Sequence, residues 1–121
     1  MTKVFDQKIN LDSVKMSYHA REDRKARFEL VDMLDHKPTI DKAFVVDRGH
    51  KNGKEIHCVT KKGIIYVLNL RKYLNNYNSL VTVMVARPRQ ITRLYEACNL
   101  KASETIIGYC RNNQRLGYNM V

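Results

Sequence analysis

Between positions 43 and 86 the chain runs through four short apolar segments, 43–47, 55–60, 64–68 and 80–86, rich in β-branched and aromatic residues. None of the intervals between them carries a helical pattern. Parallel strands need a crossover of a dozen or more residues, usually a helix, so this spacing predicts an antiparallel meander. Arg48-Gly49-His50-Lys51-Asn52-Gly53 supplies the first turn, with Asn52-Gly53 its strongest signal, and Lys61-Lys62-Gly63 supplies the second. The stretch 70–79, rich in Asn and Tyr, is expected to be an exposed loop.

Helical periodicity flanks this block. Over residues 12–35, Val14, Met16, Ala20, Ala26, Leu30, Val31, Met33 and Leu34 recur near the spacing of an amphipathic helix, as one helix or two. Pro38 closes the segment, because the residue before proline is driven out of helical geometry. After Arg87-Pro88-Arg89, residues 89–98 carry Ile91, Leu94, Tyr95 and Cys98 on one stripe. Ser103 is a natural N-cap for a last helix bearing Ile106, Ile107, Cys110 and Leu116, with Gly117 ending it. The expectation is one α+β domain over 1–121: an N-terminal helical segment, a four-stranded antiparallel β meander and two C-terminal helices. The helices would cover one face of the sheet and leave the other open.

With 44% apolar residues in 121, the chain can bury one core, and no run is long enough to span a membrane. The first ten residues are polar, which predicts a cytoplasmic protein. Cys58, Cys98 and Cys110 form no Cys-x-x-Cys and are expected to stay reduced. The histidines show no metal-ligand spacing, and no phosphate-cradling glycine loop, His-Glu-x-x-His or Gly-x-Ser-x-Gly is present. No metal or other cofactor is therefore expected.

The net charge is +10, and it is uneven. Residues 1–60 hold 12 basic and 10 acidic side chains, whereas 61–121 hold 10 basic and 2 acidic. Solubility does not require such a concentration of charge, which points to a polyanionic partner: nucleic acid first, then an acidic protein surface, then an anionic membrane face.

A few polar residues interrupt the apolar strands. Alternation sets Ile56 and Cys58 on one face of their strand and Glu55, His57 and Val59 on the other. His57 would then lie on the open face. A two-residue loop at Lys61-Lys62 sets it opposite Tyr66, and a three-residue loop including Gly63 sets it opposite Val67. In the last strand Thr82, Met84 and Ala86 face away from Val81, Val83 and Val85, which places Thr82 with His57. Arg87, Arg89 and Arg93 crowd the end of that strand and suit a phosphate, since guanidinium offers paired planar donors. His19 opens the N-terminal helical segment.

The succession Tyr18-His19-Ala20 with Arg24 or Arg27, then Gly53-Lys54-Glu55-Ile56-His57, Gly63-Ile64-Ile65-Tyr66-Val67 and Val81-Thr82-Val83-Met84-Val85-Ala86-Arg87-Pro88, resembles the barnase/RelE-like nuclease group of small phage and toxin-system proteins. The resemblance covers residues 12–98 and lies in order and spacing. It implies metal-independent RNA cleavage, in which a base activates the 2′-hydroxyl and an acid protonates the leaving oxygen. His57 and His19 would be the acid/base pair, Arg87 and Arg24 the phosphate stabilisers, and Thr82 and Tyr66 positioning groups. Arg24, Arg89, Arg93, Arg111, Arg115, Lys61 and Lys62 would hold nucleic acid, RNA rather than DNA. A second expectation is a non-catalytic phage-type inhibitor, an anti-defence protein that binds a host nuclease, a defence complex or nucleic acid through the basic half. A third is a DNA-binding module that presents helix 89–98 with Arg89 and Arg93 outward.

Overall fold

The hairpin at the centre of the sequence is also the centre of the sheet. β3 (Lys54–Thr60) and β4 (Ile64–Asn69) pair antiparallel through the three-residue loop Lys61-Lys62-Gly63, so His57 sits opposite Val67. In this computed structural model the described residues are 1–47, 49 and 53–116. The expected turn residues Arg48, His50, Lys51 and Asn52, and the expected helix stop at Gly117, lie outside them. β2 (Ile40–Asp47) pairs with β3, and β5 (Leu80–Val85) with β4.

The sequence pattern predicts four strands, and five are present. β1 (Thr2–Val4) adds to the outer side of β2, giving the antiparallel order β1-β2-β3-β4-β5. Three residues, one of them a lysine, are too few to show an alternation. β2 also starts three residues earlier than its apolar run. Ile40 pairs with Thr60 and Lys42 with Val59, so Asp41 bulges out of register. Its carboxylate accepts a 2.6 Å hydrogen bond from the Tyr95 hydroxyl. Burial first, and then this carboxylate, hold the Tyr95 phenol above its ordinary pKa.

The N-terminal helical segment is broken. A 3₁₀ turn (Leu11–Ser13) is followed by α1 (Tyr18–Asp23) and α2 (Lys25–Leu34), which meet at the non-helical Arg24 (φ −118°). Ser17 caps α1 by accepting from the Ala20 N–H at 3.1 Å. The expected loop 70–79 contains a helix, α3 (Leu70–Leu74), capped by Asn69 and too short for its periodicity to be seen. α4 (Pro88–Glu96) and α5 (Glu104–Arg115) complete the chain, and Ser103 caps α5 as expected.

The expectation of an open sheet face is overturned, because helices cover both faces. On one, Ile56, Cys58, Ile64, Tyr66, Leu68, Val83 and Val85 pack under Val31 and Phe28 of α2 and the lead-in residues Leu11, Val14 and Met16. On the other, Phe44, Val59, Ile65 and Val67 pack under Ile91 and Tyr95 of α4 and Ile106 and Cys110 of α5. Ile64 to Leu68 are all buried, as an unbroken apolar run in a doubly covered strand must be. The second cover comes from the C-terminal helices, which cross to the side opposite α2. Burial pushes the Cys58 thiol up to about 12 and the Cys110 thiol to about 11, so both are protonated, unreactive core groups at neutral pH.

Candidate nucleic-acid interface

Strand register sets the geometry of the polar residues. Phe44, His57, Val67 and Thr82 form one row across β2, β3, β4 and β5, on the α4–α5 face. His57 and Thr82 do share a face, two strands and about 10 Å apart. His57 is buried, with 3% of its surface exposed, so a phosphate cannot approach the ring in this arrangement. Its Nε2–H donates to Glu55 Oε1 at 3.1 Å. A carboxylate can only accept, which fixes the proton on Nε2 in the neutral ring.

Tyr66 does not belong with His57. It pairs with Cys58 and Val83 and points to the α2 face, where burial foremost raises its phenol pKa. The three-residue loop sets this outcome, since the two-residue alternative would have placed Tyr66 beside His57. His19 lies on α1, which packs along the outer side of β5. Its ring is half exposed, and its Nδ1 is 2.8 Å from Asp23 one turn on.

Arg87 lies five residues beyond Thr82, about 17 Å along an extended chain. That places it at the hairpin end of the sheet, away from the His57 row. It sits at the N-cap of α4, where its N–H donates to Gln90 Oε1 at 2.8 Å. Arg87, Arg89 and Arg93 are all exposed there. Lys61 and Lys62 are exposed at the same end. Asn113 Nδ2 donates to the Lys62 carbonyl at 3.2 Å, docking the end of α5, with exposed Arg111 and Arg115, onto the hairpin. This basic end is thus separate from His57.

A different cluster forms at the β5 edge. Arg27 on α2 reaches Thr82 and donates from Nη1 to Oγ1 at 3.2 Å. Arg24, the N-cap of α2, is three residues earlier. Burial lowers the Arg27 pKa, and the Arg24 charge lowers it further. Arg24 Nε is buried and finds no acceptor among the described residues. The sequence offers Arg24 as a phosphate ligand and Arg27 only as its alternate. The available signal is their three-residue spacing, which places two guanidiniums on one helical face.

Among the described residues no three His, Cys, Asp or Glu side chains gather as metal ligands, and no helix is long and apolar enough to cross a membrane. No protein-family model, characterised protein or solved structure matches the chain.

Proposed function

We propose that the protein binds RNA and that the Arg24–Arg27–Thr82 corner on the β5 edge holds a backbone phosphate. The observation that carries this reading is the pairing of two partly buried guanidiniums beside a hydroxyl. The Arg24 charge adds to the cost of the Arg27 cation, and Arg24 keeps a buried donor without an acceptor among the described residues. A phosphate would offset the repulsion and accept from both side chains. The net charge of +10 supports it, as does the arrangement of two helices followed by antiparallel strands β2 to β5, the layout of the group the sequence resembles.

The test is fluorescence anisotropy with labelled single-stranded RNA. Arg24→Glu and Arg27→Glu are each expected to weaken binding about tenfold or more. Each should also flatten the plot of log affinity against log salt by ~0.7 for every phosphate that is no longer neutralised. Lys101→Glu, an exposed cation elsewhere, is the control for net charge alone. Equal losses of affinity in all three variants would sink the corner as the phosphate site.

A catalytic version would use the His57–Glu55 pair, which lies on the same sheet face as Thr82 but is buried, so substrate would reach the ring only if the cover on that face opened. As a metal-independent RNase, the wild type would cut mixed RNA in EDTA. His57→Gln, which keeps most of the buried volume, would bind RNA without cutting it. Cleavage by His57→Gln removes His57 from the chemistry. Salt-sensitive binding without cleavage by the wild type leaves a non-catalytic binder, the class that includes inhibitors of nucleases or defence complexes.

A further inference from the structure

We propose that the pocket between the Leu11–Ser13 turn and the end of α3 accepts an unpaired base of single-stranded RNA. Tyr77 is its stacking platform, and Tyr18 is a second platform further along the β5 edge. The proposal rests on the RNA-binding reading above and assigns it a strand class.

The pocket has a volume of about 390 Å³, and Gln7, Ser13, Lys15, Tyr73, Asn76 and Tyr77 are among its lining residues. That is within the usual range for a small planar ligand. Its walls are held by backbone bonds. Asn76 takes a left-handed conformation (φ 60°) after α3, and the Tyr77 N–H returns to the Lys72 carbonyl at 2.9 Å, closing the helix end. The Ser79 and Leu80 N–H groups both donate to the Lys15 carbonyl at 3.0 Å, which ties the pocket's two sides together.

The two pocket tyrosines are used differently. Tyr73 packs edge-on against Phe5, with ring centroids 6.0 Å apart, and belongs to the core boundary. Tyr77 is 66% exposed and contributes little to the fold. Gln7, Ser13 and Asn76 line the same pocket, and their amide and hydroxyl groups are of the kind that pairs with a base edge.

The pocket leads to the arginine corner. Met16 forms a parallel bridge with Leu80, and the Ser17 N–H donates to the Leu80 carbonyl at 2.9 Å. This ribbon ends at α1, whose first residue, Tyr18, is 70% exposed. Tyr77 and Tyr18 therefore lie at the two ends of this ribbon, with exposed Lys15 between them. Tyrosines alternating with cations, leading to Arg24 and Arg27, match how single strands are held: bases stack on rings and phosphates meet cations. A duplex hides its base faces from such rings.

The experiment uses a single-stranded RNA carrying one 2-aminopurine, whose fluorescence falls on stacking, beside the same sequence as a duplex. Wild type should bind the single strand with quenching. Tyr77→Ala should bind it about tenfold more weakly, lose the quenching and keep the wild-type affinity for duplex. Tyr77→Phe, which retains the ring, should behave as wild type. Circular dichroism checks that both variants fold. Wild-type affinity and quenching in Tyr77→Ala overturn the base site. If Arg24→Glu still weakens binding in that case, RNA binding stands and only the base site falls. Absence of binding to either RNA by the wild type overturns both.

Discussion

Thr60→Val is expected to lower stability by about 3–5 kcal/mol, although valine matches threonine in shape. Thr60 is fully buried in the last position of β3. Its hydroxyl donates to Asp35 Oδ2 at 2.8 Å and accepts from the Ile64 N–H at 3.1 Å. Asp35, 3% exposed, is the C-cap of α2. Valine removes both bonds and leaves a buried carboxylate and a buried amide each without this partner. A hydrogen bond to a charged group is worth about 1.5–3 kcal/mol, and an unsatisfied buried group costs about 1–3 kcal/mol. For a domain of this size the loss corresponds to a fall of roughly 10–20 °C in Tm. Thr60→Ser keeps the hydroxyl and should cost only about 1 kcal/mol, the value of a buried methyl. Thermal unfolding that ranks Thr60→Val no worse than Thr60→Ser would refute the account. The clamp also bears on function, because it fixes the end of the helix that carries Arg27 to the central hairpin.

The features legible in the sequence are those set by local pattern. The β-branched runs around Val67 and Val83 mark strands, Ser103 marks a helix start, and alternation alone places His57 and Thr82 on one face. Short elements escape, since Thr2–Val4 and Leu70–Leu74 complete too little of a period. Two placements go beyond alternation. The neighbours of Tyr66 change with a single residue of loop length; the alternation leaves both registers open, and the one local pointer to the three-residue loop is Gly63, which supplies its positive φ. The orientation of His57 can be read from alternation but its burial cannot, because the cover comes from helices later in the chain.

The arginine corner is illegible for the same reason. Arg27 and Thr82 are 55 residues apart, and only the docking of α2 beside β5 brings them together. The sequence offers Arg24 with Arg27 as its alternate, never the two together with Thr82, and it adds Arg87, Arg89 and Arg93, which are close in the chain. Closeness in sequence sets those three along one exposed stretch at the start of α4, where water screens them. The Arg24–Arg27 pair differs in being partly buried. Charge in that setting interacts more strongly with an incoming anion than charge in water does.

The second large effect is expected at Gly63. Gly63→Ala should lower stability by about 2–4 kcal/mol, for two separable reasons. The residue has φ +80°, where a side chain adds about 1–2 kcal/mol of backbone strain. A Cβ there would also lie 2.8 Å from Cys110 Sγ and 3.2 Å from the Cys110 backbone nitrogen. The sulfur can turn away, but the nitrogen is held in α5, so the helix must shift from the hairpin it covers. Overpacking of this kind costs about 1–3 kcal/mol. A double-mutant cycle isolates the sulfur's share. Cys110→Ala removes the sulfur but not the backbone nitrogen, so in that background Gly63→Ala should cost less than in the wild type, leaving the backbone strain and the contact with the α5 backbone. Strict additivity in the cycle would mean that the Cys110 sulfur is not what the new methyl meets. A Gly63→Ala protein as stable as the wild type would contradict both the conformation of the loop and the docking of α5 upon it.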